Sequence, residues 1–282
     1  MGEVRTVRVK DAIAAQGRVP RLPESLQATT HVPMGDTAPL VKAVCAMLQE
    51  PEDTDLSKLH ESEEAAKIIR SGTMVQVGPR ENPWNARFLT AVMRDDGAHG
   101  RFFHLYHDFI RTVILPDLGT DLVAFQARPT FRCHLPGTAA IGRPHRDEDY
   151  GHPWCEVNYW VPLTPVFGSN SLQCESVRGA GDFAAFEADK GVAIRFYGNQ
   201  VWHYNVANDT NVTRISFDLR VIRQEEFCAD AFMLFKLGAY YSVCTTEGVL
   251  ERSSDRMRDL QERYDCLPPP RKKRPKAADC AA

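Results

Sequence analysis

The sequence predicts an α+β, mainly β fold in which helices come first and a β-sandwich or jelly roll follows. The chain has 282 residues, of which 43% are hydrophobic, so it is long enough to bury a sizeable core. Its first third has apolar residues at helical spacing, whereas from Leu122 onward short alternating runs are separated by Gly, Pro and Asn. Helices followed by a series of short strands are typical of this fold class.

Four segments of the first third have the pattern of helices. In residues 38–49 the apolar side chains recur every three or four positions, and residues 55–69 repeat that pattern. An Asn-Pro pair at 82–83 is typical of a helix start, because proline fits the first helical position. A fourth helix, rich in aromatic residues, is predicted over 101–115 and should stop at Pro116.

The second part of the chain has the pattern of strands. Its runs are short, bounded by turn-forming residues and rich in β-branched and aromatic side chains. Strands are predicted over 130–135, 156–163, 171–176, 191–197 and 213–222.

We expect a single domain over residues 1–267. Its parts are a helical segment over 1–121, a jelly-roll core over 122–225 and a helical extension over 226–267. Residues 268–282 are rich in Pro, Lys and Arg and cannot bury apolar surface, which predicts a disordered basic tail.

Composition argues against several classes of partner. The 34 basic and 37 acidic residues give a net charge of −3, which offers no electrostatic footprint for nucleic acid or a membrane surface. No apolar run approaches the roughly 20 residues that span a bilayer. Eight cysteines, none in a C-x-x-C pair, and the lack of a signal peptide predict reduced, mostly buried thiols in a cytoplasmic protein.

A His-x-Asp motif, formed by His145 and Asp147, is the first candidate metal site. Residues two apart in an extended segment point the same way, so an imidazole and a carboxylate can reach one metal ion. His203, which follows a strand-like run and a Gly-Asn turn, is the best candidate for a second imidazole. Two histidines and one carboxylate on one face of an octahedron are typical of non-haem iron(II) oxygenases, whereas three histidines favour zinc. Taken alone, the tripeptide is common and is usually a surface pair.

A second motif begins at Arg214, where polar and apolar residues alternate cleanly. Arg214, Ser216, Asp218 and Arg220 share one face of this predicted strand. The ordinary interpretation is an edge strand with one solvated face. The functional interpretation is a strand that lines a cavity, where Arg214 forks onto a carboxylate and Ser216 adds a hydroxyl. The distal carboxylate of 2-oxoglutarate needs such an anchor, and this co-substrate and dioxygen together need three open metal positions.

The triad together with Arg-x-Ser resembles the 2-oxoglutarate/iron(II)-dependent oxygenase superfamily. Residues 128–222 resemble more closely the StrG-like group associated with streptomycin biosynthesis, over about a third of the chain. The motifs that carry this resemblance include Arg-Pro-Thr at 128–130, His-Arg-Asp-Glu-Asp-Tyr at 145–150 and Glu-Val-Asn-Tyr-Trp-Val-Pro-Leu-Thr at 156–164. The resemblance implies a double-stranded β-helix, a cupin-like jelly roll, with the N-terminal helices packed on the major sheet.

The same resemblance implies a reaction and roles for individual residues. A substrate would be oxidised, most simply hydroxylated, while 2-oxoglutarate is converted to succinate and carbon dioxide. His145, Asp147 and His203 would hold Fe(II), and Arg214 with Ser216 would bind 2-oxoglutarate. A carboxylate at position 147 argues against a halogenase, which needs that metal position free for halide.

Residues around the centre are candidates for further contacts. Asn158, in the middle of an aromatic-rich strand, is either a satisfied core amide or a contact to the co-substrate. Arg132 and His134 share a strand face just before the metal motif, and they form either a polar outer face or part of the substrate site. Tyr150 and His152 follow the metal motif and are predicted at the rim of the substrate site.

Two other functional classes stay open at the level of the sequence. One is a cupin-type metal-dependent dioxygenase or isomerase that does not use 2-oxoglutarate, against which Arg214 and Ser216 argue. The other is a non-catalytic jelly-roll binding protein. We expect the substrate to be a small polar metabolite, such as an amino acid or an aminosugar-like compound, with no nucleic-acid or membrane partner. The sequence does not decide whether two chains pair as a homodimer.

Overall fold

The computed structural model describes residues 22–69, 81–94, 97–140 and 142–264. Helices and antiparallel β-sheet are both present. The α-helices in these ranges are α1 (Glu24–Gln27), α2 (Ala38–Leu48), α3 (Glu63–Ile68), α4 (Pro83–Ala91), α5 (Gly97–Phe109), α6 (Leu115–Leu118) and α7 (Asp255–Tyr264). Short 3₁₀ turns occupy Leu56–Glu61, Asp147–Tyr150, Gly168–Asn170, Gln224–Glu226 and Ala229–Phe232.

Side-chain caps fix where two of these helices begin. The side chain of Asn82 accepts a hydrogen bond from the backbone N–H of Asn85 at 3.1 Å, and Pro83 occupies the first turn of α4. Ser62 caps α3 in the same way. This cap divides the helix predicted over 55–69 into a 3₁₀ turn and an α-helix.

The strands form two antiparallel sheets. Their bounds are β1 (Thr30–Pro33), β2 (Leu122–Gln126), β3 (Thr130–His134), β4 (Val157–Pro162), β5 (Leu172–Cys174), β6 (Ala184–Ala185), β7 (Val192–Phe196), β8 (His203–Asn205), β9 (Arg214–Arg223), β10 (Tyr241–Thr245) and β11 (Gly248–Val249). The large sheet has the order β1-β7-β4-β9-β2-β10-β11, and β3 also pairs with β9. The small sheet has the order β6-β5-β8. All five predicted strands are present, with every end within two residues of the prediction.

Strand β9 is the centre of the large sheet. It pairs with β4 along one side and with β2 and β3, one after the other, along its other side. The register places Asn158 opposite Arg220 and Arg132 opposite Ser216. Residues directly opposite each other in an antiparallel pair share a face, so these four polar side chains lie on one face of the sheet.

The two faces of the large sheet have different partners. Helices cover one face, where Phe102 and Tyr106 of α5 pack edge-on against Phe217, and Phe88 of α4 stacks on Phe131 with ring centroids 4.2 Å apart. The other face meets the small sheet through a separate apolar cluster that includes Trp160, Leu172, Ile194, Phe196 and Val201. Polar residues on that second face of β9 therefore lie between the two sheets.

The helix predicted to stop at Pro116 continues to Leu118. A π-helical turn, Ile110–Ile114, ends two residues before the proline, and the helix ends at Gly119 in the left-handed region with φ 61°. A π turn is wider than an α turn, which gives the proline ring room that a regular α-helix denies it.

The helical extension predicted over 226–267 was wrong in part, because this segment also contains strands. β10 and β11 form an antiparallel pair, and β10 pairs with β2 in the large sheet. Four of the five residues of β10 are buried, so it lacks the alternation that identifies half-buried strands. In the same way, the segment expected to be helical over 1–121 contains β1, which pairs with β7.

Several expectations concern residues outside the described ranges, among them the basic tail over 268–282, Cys266 and Cys280. The six described cysteines carry free thiols, and five of them are buried. Among the described helices, none combines the length and the apolar character needed to cross a membrane.

Candidate metal centre

The three predicted metal ligands lie together at one end of the space between the sheets. His145, Asp147 and His203 each offer one ligand atom, and these atoms lie within 4.8 Å of one another. The Nε2 atoms of His145 and His203 are 3.7 and 3.8 Å from Oδ1 of Asp147. Within the described residues, no other group of His, Cys, Asp and Glu side chains has this arrangement.

The backbone holds the two histidines next to each other. His145 and His203 exchange two backbone hydrogen bonds, of 3.2 and 3.0 Å, beside β8. The backbone N–H of Asp147 donates to the carbonyl oxygen of Gly198 at 2.9 Å. The 3₁₀ turn that starts at Asp147 ends at Gly151, whose φ of 83° is readily adopted only by glycine. These bonds fix the loop that carries two of the three side chains.

Both imidazoles present Nε2 to the carboxylate. Nδ1 of His145 lies 2.8 Å from the carbonyl oxygen of Arg143, and Nδ1 of His203 lies 3.1 Å from that of Val201. A carbonyl oxygen can only accept, so these contacts assign the proton to each Nδ1 and a lone pair to each Nε2. Burial lowers the pKa of His203, which also favours the neutral form that binds metals.

Asp147 is fully buried and accepts from two side chains on neighbouring strands. Arg220 donates from Nε to Oδ2 and from Nη2 to Oδ1, each at 2.9 Å. Asn158 donates from Nδ2 to Oδ2 at 2.7 Å. Burial by itself would raise the pKa of Asp147, but the charge of Arg220 and these hydrogen bonds hold that pKa well below its usual range. The carboxylate is therefore ionised and available to a cation.

The predicted co-substrate anchor lies at the other end of β9. Arg214 is buried, and its Nη1 donates to the carbonyl oxygen of Asn170 at 3.0 Å and to Oδ1 of Asn205 at 2.5 Å. Nε of Arg214 and Oγ of Ser216 are buried without a hydrogen-bond partner. Burial and then the charge of Arg132 lower the pKa of Arg214 to about 10. The site thus has a buried cation and unused hydrogen-bonding groups, which is suited to an anion.

One cavity of about 300 Å³ connects the two ends. Its walls include His145 and His203 at one end and Arg214 at the other. The cavity carries an excess of positive charge. Two carboxylates, those of Asp218 and the adjoining Asp147, face four arginine side chains. These arginines are Arg132, Arg143, Arg214 and Arg220.

The structure separates the remaining predicted site residues into two groups. Arg132 and Tyr150 line the cavity, and Tyr150 is 61% exposed at its mouth. His134 is buried, with Nε2 3.2 Å from the carbonyl oxygen of Thr138, and it does not line the cavity. His152 instead contacts Glu156 at 2.9 Å and stacks on Phe235 with ring centroids 4.1 Å apart. The prediction that both histidines contact the substrate is therefore corrected, because their rings are turned into the protein.

The contacts of Arg220 with Asp147 were not predicted from the sequence. The alternating pattern of β9 placed Arg220 on the cavity face, but its partner is 73 positions earlier in the chain. Asn205, which holds Arg214, was also missed, because β8 has only three residues and shows no period. Asn158, which the sequence left as either a core amide or a co-substrate contact, lines the cavity at the metal end and donates to Asp147.

Known proteins resemble this chain in sequence and in structure. No known family profile matches the sequence. The chain is similar to the streptomycin biosynthesis protein StrG from Streptomyces griseus, with 37% identity over 154 residues, which are 51% of this chain and 74% of that protein. Among solved structures, it is similar to the non-haem monooxygenase ThoJ in a nickel complex, with 16% identity, a TM-score of 0.42 and 80% of each chain covered. It is also similar to the non-haem α-ketoglutarate-dependent epimerase SnoN from nogalamycin biosynthesis, with 16% identity, a TM-score of 0.36, and 77% of this chain and 83% of that chain covered.

Proposed function

We propose that this chain, which belongs to the protein family of the streptomycin biosynthesis protein StrG, is a non-haem iron(II) oxygenase that uses 2-oxoglutarate and dioxygen. One observation carries the proposal: a ligand triad and a buried arginine without a carboxylate partner lie at the two ends of one cavity. A metal ion at the first end and the far carboxylate of 2-oxoglutarate at the second would complete the site.

The donor set fits iron(II). His145 and His203 offer neutral imidazole nitrogens and Asp147 offers a carboxylate oxygen, all directed to one side. Such a facial set of ligands leaves positions for a chelating co-substrate and for dioxygen. Iron(II) bound to these residues would supply the activation of dioxygen, for which the chain's own side chains have no chemistry.

The unpartnered polar atoms fit a carboxylate. A buried guanidinium costs free energy unless an anion accompanies it, and among the described residues Arg214 has no ion-pair partner. Trp160 lies along the guanidinium, with Cζ 5.7 Å from the ring centroid, and Asn205 holds Nη1. Nε of Arg214 and Oγ of Ser216 would then donate to the carboxylate of 2-oxoglutarate.

The proposed reaction is a hydroxylation coupled to the oxidation of the co-substrate. A substrate C–H bond is replaced by C–OH, and 2-oxoglutarate loses carbon dioxide to give succinate. One atom of dioxygen enters the substrate and the other enters succinate, so atoms and electrons balance. The residues of the chain would bind and orient both reactants, and Leu172 and Phe196 add apolar surface to the cavity wall.

We propose a small polar metabolite as the substrate, such as an amino acid or an aminosugar-like compound. Arg132, Tyr150 and Asp218 supply hydrogen-bonding groups of both signs around the cavity. A volume of about 300 Å³ suits a small molecule and leaves no room for a folded macromolecule. We also interpret the two antiparallel sheets, with the site between them, as a double-stranded β-helix.

The experiment that tests this function measures succinate formation by iron-loaded protein with 2-oxoglutarate and dioxygen. Panels of amino acids, aminocyclitols, nucleosides, fatty acids and peptides are compared. We expect strong turnover from a member of the first two panels, together with a product that is 16 mass units heavier, since one oxygen atom is added to the substrate. Turnover confined to fatty acids or peptides would contradict the substrate class. Lack of 2-oxoglutarate consumption under all conditions would contradict the oxygenase itself.

A further inference from the structure

Both oxygen atoms of Asp147 are engaged by the protein, but they are engaged unequally. Oδ2 accepts two hydrogen bonds, from Nε of Arg220 at 2.9 Å and from Nδ2 of Asn158 at 2.7 Å. Oδ1 accepts one, from Nη2 of Arg220 at 2.9 Å. Oδ1 is also the oxygen that lies 3.7 and 3.8 Å from the Nε2 atoms of His145 and His203. The carboxylate is therefore held with one oxygen turned away from the histidines and one turned toward them.

The Arg220 guanidinium, which holds the Asp147 carboxylate, is itself held by further contacts. Arg220 is 12% exposed at its side chain, and its third nitrogen, Nη1, lies 3.3 Å from Oε1 of Gln126 and 3.4 Å from Oδ2 of Asp218. Gln126 is buried on β2, and its backbone carbonyl accepts from the hydroxyl of Tyr106 at 2.7 Å. Four side chains on strands β2, β4 and β9 thus fix the plane of the Asp147 carboxylate.

Gly198 shows how closely Asn158 is packed. A Cβ at position 198 would lie 2.8 Å from the amide carbon of Asn158, a distance that real Cβ atoms essentially never have. The backbone of Gly198 is also the acceptor for the N–H of Asp147. Asn158 therefore cannot turn away freely, and its amide is kept against Oδ2 of Asp147.

We infer that Arg220, assisted by Asn158, is a positioning residue that makes Asp147 a one-oxygen metal ligand through Oδ1. Oδ2, with both of its in-plane lone pairs occupied, is withheld from the metal. This matters because a carboxylate that chelates with both oxygens would take one of the positions that 2-oxoglutarate and dioxygen need. The inference rests on the proposed metal site and adds the residues that keep its remaining positions open.

The test uses cobalt(II) as an air-stable probe of the full-length protein. Its visible spectrum reports the number and arrangement of ligands, and a titration gives the dissociation constant. We expect Arg220→Gln to change the cobalt(II) spectrum and to weaken cobalt(II) binding on the order of 10–100-fold, which is typical for loss of a partner behind a metal ligand. Arg220→Lys keeps the charge but not the planar fork, so its cobalt(II) spectrum and affinity should lie between those of the wild type and those of Arg220→Gln.

A matched control separates positioning from general stability. Arg195 on β7 is also a buried arginine, and it is paired with the carboxylate of Asp117 at 2.9 Å. Asp117 also accepts a hydrogen bond from the hydroxyl of Tyr159, and this pair lies on the helix side of the sheet. Arg195→Gln should lower the melting temperature and leave the cobalt(II) spectrum unchanged. Asn158→Ala, which removes only one donor to Oδ2, gives a second variant if Arg220→Gln does not fold, and it should change the spectrum in the same direction.

The outcomes distinguish the inference from the proposed function. If His203→Ala abolishes cobalt(II) binding but Arg220→Gln and Asn158→Ala keep the wild-type spectrum and affinity, the metal site is correct and the positioning role is overturned. If His203→Ala binds cobalt(II) as the wild type does, the triad is not the metal site, and both the proposed function and this inference fail.

Discussion

Arg214 and Arg220 lie on the same face of the same strand, and their surroundings are opposite. Arg220 is paired with Asp147 at 2.9 Å and contacts Asp218 at 3.4 Å. Burial would lower the pKa of Arg220, but these two carboxylates raise it well above its usual value. Arg214 contacts only neutral groups among its hydrogen-bond partners, and burial with the charge of Arg132 lowers its pKa to about 10.

This difference in pairing indicates different roles: Arg220 holds a metal ligand in place, whereas Arg214 is free to bind an anion. A buried arginine with a carboxylate has its charge neutralised within the fold, as Arg220 has. A buried arginine without a carboxylate partner destabilises the protein unless it binds an anion. Arg214 is such an arginine, and its Nε has no hydrogen-bond partner. The seven residues of β9 from Arg214 to Arg220 therefore span the co-substrate end and the metal end of the cavity.

The largest effect is expected from Arg214→Ala. Removing one partner of a buried, hydrogen-bonded charge pair costs about 2–5 kcal/mol, so 2-oxoglutarate should bind at least thirtyfold more weakly. Calorimetric titration of the cobalt(II)-loaded protein measures this. Cobalt(II) affinity should stay nearly unchanged, since Arg214 donates to Asn170 and Asn205 and not to the three metal ligands. If 2-oxoglutarate binds Arg214→Ala as tightly as the wild type, the anchor is elsewhere.

His203→Ala tests the metal end separately. Loss of a direct ligand should weaken cobalt(II) binding by at least the roughly 10–100-fold seen when partners behind metal ligands are removed. His107→Ala on α5 is the control, because this histidine lies on the helix side of the sheet. Equal losses in the two variants would indicate a general destabilisation in place of a ligand role.

A smaller effect is expected from Ser216→Ala. The buried Oγ of Ser216 has no partner within the protein, so its removal leaves no unpaired group behind. The loss of one hydrogen bond to 2-oxoglutarate should cost about 0.5–1.5 kcal/mol, or roughly two- to tenfold in affinity. Thermal stability in the absence of ligand should stay the same or rise. An effect on stability without an effect on 2-oxoglutarate would place Ser216 outside the anchor.

The unpaired charge of Arg214 also predicts a pH dependence through His134, which lies opposite it in the sheet. Burial and then Arg214 lower the pKa of His134 to about 3, compared with about 6.5 in the unfolded chain. Between about pH 6.5 and pH 3 only the unfolded chain takes up this proton, so the part of the stability that depends on it is fully present above about pH 6.5. It is lost as the pH falls toward 3, by at most about 1.4 kcal/mol per pH unit. Urea unfolding of metal-free protein between pH 7 and 5 should show a shallower decline for His134→Asn, and an unchanged slope would contradict this assignment.

The parts of the site that short motifs encode were predictable from the sequence. His145 and Asp147 are two positions apart in one short motif, and the alternation of β9 placed Arg214 and Ser216 on one face. The period of two also located β9, which carries Arg214 and Ser216, because its other face is apolar and lies in the core. The cavity that Arg214 shares with His145 and His203 depends on the same alternation continued across paired strands.

What the sequence did not predict depends on depth and on long-range pairing. His134 and His152 have the right place along the chain, but only the packing around each ring decides whether it faces the cavity or the core. The contact of Arg220 with Asp147 joins residues 73 positions apart, and only the register between β4 and β9 places Asn158 opposite Arg220, so no local pattern contains this arrangement. The strand β10 was missed because it is buried almost throughout and has no period of two.

The most direct test of the central claim is an anaerobic titration of iron(II)-loaded protein with 2-oxoglutarate, followed by visible absorption. Chelation of 2-oxoglutarate to iron held by a facial triad gives a weak charge-transfer band. We predict that the band appears with the wild type, needs a much higher concentration of 2-oxoglutarate with Arg214→Ala, and is absent with His203→Ala. A wild-type protein that binds iron(II) but shows no band at saturating 2-oxoglutarate would contradict the account.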